Sequence, residues 1–561
     1  MTIALVKISN LDNRLIPLGI ACLQAYLKQH DTEVKVYNFR TNKYNLPKIV
    51  SDPLIQLKPP NFIMNHQDFP ILVPITEYIL SNKEICFDKN EFVDLINDYS
   101  NRLYEKPEIT QKRYKDMMIY VKRIVKKLFN NFSSVAFSLD YLNVVETIIA
   151  SCLLKNFDPQ IQIFWGGPTI TQSFEGFKLF LHLGACDGLV IGEGEKPLLE
   201  IAKQTPLKEI KGLLIIDPNN ERYYYRPGIE LDLNSLPTPD YTNIPLDTYF
   251  QIASIYRSRG CTNRCKFCAE WKLFGCRFRV RSVEKVINDI ETIIENFKPL
   301  YMIFGESLIN DNFQDFEKLC DAMHERNFNM HFGTHFRANI SPELAKKAFK
   351  AGFNDAWVGF EAFSEQNLKE MNKGISLNQN FTTIKNLTSS GINVIAMLVV
   401  GFSSLEEEIK NCINIIKTIE YFSQKRVKLE NQNESPLSIQ WRPAPMYIVP
   451  GSLDYQEKEL NDLIPWKIKD YSPQNRSYIK ELEKKLVKIP YEFKRPISDK
   501  KVGELMKMIQ DTDRNAGFAI GGLAKHIINF MIKERRKIRQ LKKIEKVGVI
   551  AQRYRSSISK S

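Results

Sequence analysis

No stretch of this chain is apolar for long enough to cross a bilayer. The longest uninterrupted apolar run, Val394 to Phe402, contains Gly401 and falls far short of the ~20 residues a spanning helix needs. An export signal is not expected either, because Lys7 breaks the short apolar run of Met1 to Asn10 and no small-residue cleavage site follows. A cytoplasmic protein is therefore expected, with any membrane contact peripheral. Without an export signal the ten cysteines do not suggest a disulfide framework; they suggest free thiols or metal ligands in a reducing compartment. Internal repeats and low-complexity tracts are absent, and 43% hydrophobic with 25% charged residues excludes wholesale disorder.

What is there begins with the charge, a net +13 placed mostly at one end. Lys533 to Ser561 carry eleven Lys and Arg against two Glu, which accounts for +9 of the total. A basic catalytic surface does not follow, and no specific nucleic-acid partner is implied. Just before that tail, Ile520, Leu523, Ala524, Ile527, Ile528 and Met531 recur at helical steps. An apolar face running into a basic stretch is a candidate for peripheral contact with an anionic membrane, beside the plainer reading of a packed helix with a solvated end.

The pattern along the chain is α/β. An apolar run at Ile3 to Ile8, an amphipathic stretch at Leu18 to Leu27 and alternation at Val34, Val36 and Phe39 start it as βαβ. The rhythm breaks over about 42–131, read as a mostly helical insertion. It resumes with strands at Val135 to Leu139, Ile161 to Trp165 and Gly188 to Ile191. Residues 1–225 therefore read as a doubly wound, Rossmann-like domain, and 226–250, with Pro237, Pro239 and Pro245, as a linker. Over 251–451 six strand-like runs, near Ile252, Tyr301, Met330, Ala356, Val394 and Ile439, alternate with helical patterns and imply a parallel barrel, complete or open. Residues 452–561 read as a mostly helical region with the basic tail.

Directly after the first barrel strand comes Arg259-Gly260-Cys261-Thr262-Asn263-Arg264-Cys265-Lys266-Phe267-Cys268. Active-site loops of parallel barrels lie at this end of the strands. Three thiols on one short loop suit an iron-sulfur centre with one iron left open. Closed zinc sites usually draw ligands as separated pairs or with His. Ferredoxin-type loops add a fourth nearby Cys, for which Cys276 is the one candidate, read here as a neutral core cysteine.

On Cys261, Cys265, Phe267 and Cys268 the sequence resembles the radical S-adenosylmethionine (SAM) superfamily, with its Cys-x3-Cys-x-aromatic-Cys loop. The resemblance covers roughly Ile252 to Gly451 and implies a partial (β/α)6 barrel and a 4Fe-4S cluster whose open iron chelates SAM. Reductive cleavage of SAM would then yield a 5'-deoxyadenosyl radical. Gly305 and Glu306 resemble the segment that binds the SAM amino group, with Phe304 where the family often has a second Gly. Glu361 resembles a ribose contact and Gly401 a residue near adenine, with Ser403 and Ser404 replacing the usual Pro-Gly. His335 and Arg337 follow the third strand at the same mouth, and Arg337 is a candidate carboxylate contact. Taken singly, each also reads as a strand-end turn or a solvated side chain. No catalytic residue beyond the cluster ligands is readable.

In the first domain the strand-end loops are Ser9 to Leu15, Ser138 to Asn143, Gly166-Gly167-Pro168 and Gly192-Glu193-Gly194-Glu195. In this order ahead of the cysteine loop they resemble the cobalamin-binding domain joined to many radical SAM enzymes. That implies Ser138, Gly166, Gly167, Pro168, Gly192, Glu193, Gly194 and Glu195 as cofactor contacts. None of the seven histidines stands in an Asp-x-His-x-x-Gly motif, so cobalt without a protein imidazole is expected, its lower face covered by a loop residue such as Leu11 or Leu139. A dinucleotide is excluded by the lack of Gly-x-Gly-x-x-Gly after the first strand.

Together these resemblances imply a cobalamin-dependent radical SAM C-methyltransferase acting on an unactivated carbon, served by an electron donor. The alternatives are a radical cyclisation, rearrangement or oxidation without methyl transfer, and a cobalamin- or cluster-binding sensor or electron carrier, in which Cys276 would close the cluster. The substrate, whether small natural product, peptide or lipid, is not named by the sequence.

Overall fold

The structure is a computed structural model that describes residues 2–9, 17–40, 76, 78–81, 107–140, 143–217, 219, 222–244, 251–431, 438–446, 451–454 and 499–515. The apolar-to-basic stretch after 515, most of the 42–131 insertion and the loop carrying Leu11 lie outside them. The part of the insertion that is described is helical.

The first sheet takes β1 (Ile3–Ser9), α1 (Leu18–Gln29), β2 (Val34–Arg40), α2 (Pro107–Leu128), β3 (Ser134–Ser138), α3 (Val144–Phe157), β4 (Gln162–Gly166), α4 (Pro168–His182), β5 (Gly188–Val190), α5 (Glu195–Ala202), β6 (Leu213–Ile216) and β7 (Tyr223–Tyr225). Its order is β2-β1-β3-β4-β5-β6-β7. The first five strands run parallel, and β6 and β7 return antiparallel at the edge. Alternate residues go to opposite faces: Ile3, Leu5, Phe164 and Val190 pack with α1 and α5, whereas Ala4, Val6, Ile163 and Trp165 pack with α2, α3 and α4. The sheet is thus doubly wound, with its order reversing between β1 and β3, where ligands of such sheets gather. The β6–β7 hairpin has no counterpart in the sequence reading.

The second sheet contains β8 (Ile252–Ile255), then a short hairpin of β9 (Ser258–Arg259) and β10 (Arg279–Val280) enclosing the cysteine loop and α6 (Glu270–Leu273). There follow α7 (Val283–Phe297), β11 (Tyr301–Phe304), α8 (Phe313–Arg326), β12 (His331–Arg337), α9 (Pro342–Lys350), β13 (Phe353–Glu361), α10 (Glu365–Glu370), α11 (Leu377–Ser389), β14 (Asn393–Val400), α12 (Leu405–Asn431), β15 (Ile439–Pro445) and α13 (Asp499–Asn515). Six strands lie in sequence order from β8 to β15, all parallel, so the expected barrel is an open one. Ser341 caps α9, its hydroxyl accepting from Leu344 N at 3.1 Å, with Pro342 in the first turn and Gly352 just past the end.

The expected linker is a packed strap. Leu233, Leu236, Tyr241 and Ile244 are buried in one core shared by both sheets. Asp240 N donates to Ala21 O at 3.1 Å, Lys28 pairs with the Asp240 carboxylate at 2.6 Å, and the Tyr241 hydroxyl donates to Ser254 O at 2.5 Å. Among the described residues, 226–244 contain one short 3-10 turn, Leu233–Ser235, and no other helix or strand; prolines say nothing about burial, which the spaced apolar side chains decide.

At the open side of the barrel, α13 packs along β15, burying Val502, Leu505, Met506 and Ile509 and covering what would be a bare edge strand. It also buries Asp513 near Arg442; burial pushes that carboxyl up to about 8. The unfolded carboxyl titrates near ~4, so between ~4 and 8 the fold binds the extra proton and stability falls as pH rises. Asp513→Asn should flatten the fall in unfolding free energy between about pH 5 and 8. An unchanged slope would show that Asp513 is ionised in the fold.

Candidate functional site

The cysteine loop is fixed from three sides. β9 pairs with β10 in the register Arg259↔Arg279. Gly260, at φ +92°, lies so close to the Arg277 carbonyl that a Cβ would overlap it. Cys261 N donates to Gly275 O at 3.4 Å, Lys266 N to Met371 O at 2.9 Å, and the Asn372 amide to Arg264 O at 2.9 Å. The loop is therefore held both by its own hairpin and by the turn between α10 and α11.

Cys261 and Cys265 are buried and Cys268 is half-buried. Burial pushes the Cys268 thiol up to about 12 and raises Cys261 as well, and the neighbouring thiols push each in the same direction. Cys261 and Cys268, held in this way, give up their protons only if a positive centre takes up the charge. Donors are aimed at the sulfurs: the Asn263 amide stands 3.7 Å from Cys261 Sγ, and Glu270 N stands 3.4 Å from Cys268 Sγ. Among the described residues no three His, Cys, Asp or Glu close tightly enough for a single metal ion, as a zinc site with ~2.3 Å sulfur bonds demands. Three thiols on one loop, two of them met by hydrogen-bond donors, are a donor set that suits an iron-sulfur cluster. Cys276 is half-buried rather than in the core, correcting that reading, and it is absent from the groups acting on Cys261 and Cys268.

Residues expected to meet SAM are placed unequally. The Glu306 carboxylate is buried against β8 and β9, accepting from Arg257 N at 3.1 Å and from the Ser258 hydroxyl. Gly305 faces Leu18 of α1, whose Cδ2 would lie 3.0 Å from a Cβ there. Arg337 is also turned inward: its guanidinium donates to Lys373 O, and Asn310 clasps its backbone at 2.8 and 3.2 Å. Glu361 stands at a register shift at the end of β13 with a left-handed φ of +63°, its carboxylate accepting from Lys373 Nζ at 2.9 Å. Gly401, at φ +95°, is where Val502 of α13 docks.

Three participants have no sequence signal strong enough to find them. Lys373, almost fully buried, reaches back to within 6.0 Å of the Phe267 ring and acts electrostatically on Cys265. Glu270 accepts from the Ser307 hydroxyl at 2.9 Å beside Cys268, and burial raises its carboxyl pKa. The third is Trp357 on the inner barrel face. Ile252, Tyr301 and Ile303 fill that face at one end, with the Tyr301 hydroxyl donating to Asp355 at 2.6 Å. Further along, His335 and Trp357 sit 5.6 Å apart between ring centroids, and Met397 is 39% exposed. Parallel sheets are normally covered on both faces. Here the His335 ring is accessible yet its pKa is lowered by burial, as expected in a recess.

A second cavity, about 290 Å³, lies between the two sheets. It is bounded on one side by Ser138, Gly166, Gly167, Pro168 and the Gly192-to-Glu195 loop, and on the other by Tyr256, Ser258, Arg259 and Gly305. Gly167, at φ +98°, stands where a Cβ would meet Leu139 O at 2.6 Å; a Cβ at Gly192 would enter open space. The wall is otherwise mainly apolar, with Leu5, Leu23 and Val190, and among the described residues that line it none is histidine. Backbone cradled by glycine suits close approach of a large, flat group. Leu139 is fully buried in the core under α2, α3 and α4, so it does not cover this cavity.

Residues 255–416 match the model of the Radical SAM superfamily. The match lies within the barrel, from the end of β8 into α12. A domain of that superfamily implies a 4Fe-4S cluster, SAM and an enzyme. Among relatives, a hopanoid C-3 methylase of Methylococcus capsulatus is 28% identical over 47% of this chain and 52% of its own length. An uncharacterized methyltransferase of Pyrococcus horikoshii is 25% identical over 48% of this chain and 60% of its own. The chain thus spans between half and three fifths of these two relatives. In fold it is similar to the radical SAM methyltransferase TsrM of Kitasatospora setae, solved with cobalamin and a 4Fe-4S cluster, with a TM-score of 0.54, 13% identity and coverage of 82% of this chain and 78% of that one. Among the described residues no helix is long and apolar enough to cross a membrane.

Proposed function

We propose that the chain is a cobalamin-dependent radical SAM C-methyltransferase acting on an unactivated carbon. The observation that carries the reading is the cavity between the sheets, where glycine loops at the carboxyl ends of the doubly wound strands face residues adjoining the cysteine loop. The radical domain, the methylase relatives and the fold of TsrM support it. When bound, the cluster with SAM would supply a hydrogen-abstracting 5'-deoxyadenosyl radical, and the corrinoid a methyl group.

The protein's own contribution is placement. Cys261, Cys265 and Cys268 hold the cluster at the barrel mouth. The Lys373–Glu361 pair lies against Gly359, two residues on from Trp357. Trp357, His335 and Met397 offer an apolar, polarisable wall with one imidazole; nearby, Glu361 is paired with Lys373 and Asp355 accepts from the Tyr301 hydroxyl. Such a recess favours an uncharged, ring-bearing portion of substrate, in keeping with a relative named for a hopanoid. The Ser138 hydroxyl and the Gly166, Gly167, Gly192 and Gly194 backbone would seat the corrinoid, with no imidazole to ligate it.

Anaerobic turnover with methyl-labelled SAM tests this. Label should appear in a corrinoid whose spectrum is base-off, and 5'-deoxyadenosine should form. Failure to retain any corrinoid, or a spectrum of imidazole-bound cobalt, would refute the reading.

A further inference from the structure

Glu193 and Glu195, singled out in the sequence as corrinoid contacts, have their charges committed elsewhere. The Arg259 guanidinium donates to Glu195 at 2.5 Å and to Glu193 at 3.1 Å. Arg279, its register partner across the β9–β10 hairpin, donates to the same Glu193 oxygen at 2.6 Å and to Leu231 O at 3.0 Å. The other Glu193 oxygen accepts from Leu231 N at 2.9 Å. Aromatic rings flank Arg259, Tyr256 at 4.8 Å and Phe274 at 5.2 Å. Both carboxylates and Arg259 are less than a tenth exposed.

Two features show what this group does. Buried ion pairs of this kind are seldom more stabilising than apolar side chains of the same volume, so their benefit is a fixed register. The register here joins two places: Glu193 and Glu195 alternate with the cavity glycines Gly192 and Gly194, and Arg259 is separated from Cys261 by Gly260 alone. Gly260 is itself pinned against Arg277, so a displacement of Arg259 passes directly into the cysteine loop.

We propose that Glu193, Glu195, Arg259 and Arg279 form a spacing clamp, a set of positioning residues that fixes the distance and orientation between the corrinoid on the glycine loops and the cluster on the cysteine loop. The clamp rests on the corrinoid reading above. It makes the two acids structural partners of the radical domain and leaves cofactor contact to the glycine backbone between them.

The test is magnetic. In full-length protein with its cluster reconstituted and loaded with cobalamin, both centres are brought to their paramagnetic states, the reduced cluster and cobalt(II), and their mutual coupling is read by electron paramagnetic resonance. Dipolar coupling falls with the cube of distance, so small displacements register. The unchanged protein should give one resolved splitting. Glu195→Gln, nearly isosteric, and Arg259→Met should lose that splitting while iron content, corrinoid content and the spectrum of each centre alone persist. Arg259→Lys, which keeps one charge but not the fork, should restore a single, shifted splitting. An unchanged splitting in Glu195→Gln and Arg259→Met would overturn the clamp. So would loss of corrinoid from Glu195→Gln with iron retained, which would make the acid a direct contact. A protein without any corrinoid signal would instead overturn the functional reading beneath it.

Discussion

Substituting Ala for Cys261, Cys265 and Cys268 together is expected to abolish bound iron and reduce SAM cleavage to the background rate, while Cys276→Ala leaves both largely unchanged. The contrast follows from placement. The three thiols share one loop, influence one another electrostatically, and receive an amide donor at Cys261 Sγ and a backbone donor at Cys268 Sγ. Cys276 stands half-buried among the residues before β10. The loop should survive without its cluster because Gly275, Met371 and Asn372 hold its backbone by hydrogen bonds that involve none of the three side chains. Iron analysis and 5'-deoxyadenosine formation after anaerobic reconstitution measure the effect. A full cluster in the triple variant would remove the assignment, and loss of iron from Cys276→Ala would make that cysteine a fourth ligand.

The cysteine loop was legible because its grouping is local: three thiols on one short loop are recorded by their spacing alone. The strands were legible for a similar reason, since alternating apolar runs and glycine-ended loops recur at short range; Gly166, Gly167, Gly192 and Gly194 all reach the cavity the sequence had marked for them. Charge partners were not legible in the sequence. Glu193 and Glu195 line the cavity and are also ion-paired with Arg259 and Arg279, 64 or more residues away. Glu306 and Arg337 stand where the family pattern puts contacts, but in this fold one is taken up by Arg257 and Ser258 and the other by the Lys373 carbonyl. Lys373 was invisible because it belongs to a turn between two helices, without periodicity or motif, and gains its place only when β13 bulges toward it.

That lysine gives the sharpest test of the barrel mouth. Lys373→Met leaves the Glu361 carboxylate buried without its cation, on a backbone already held at a left-handed φ, and should cost about 3–5 kcal/mol of stability. Replacing both residues, Lys373→Met with Glu361→Leu, removes the stranded charge and should recover most of that loss, since apolar pairs commonly substitute for buried ion pairs at little cost. Chemistry should not recover with it. The Lys373 ammonium acts on Cys265 and lies over the Phe267 ring; without it the cluster loses a nearby positive charge, so its reduction becomes harder and SAM cleavage slows. Denaturant unfolding and a redox titration followed by electron paramagnetic resonance separate the two effects within one double-mutant cycle. A double variant no more stable than Lys373→Met alone would show that the pair is not the source of the cost. A cluster potential identical in all four proteins would confine Lys373 to holding Glu361 in its strained turn.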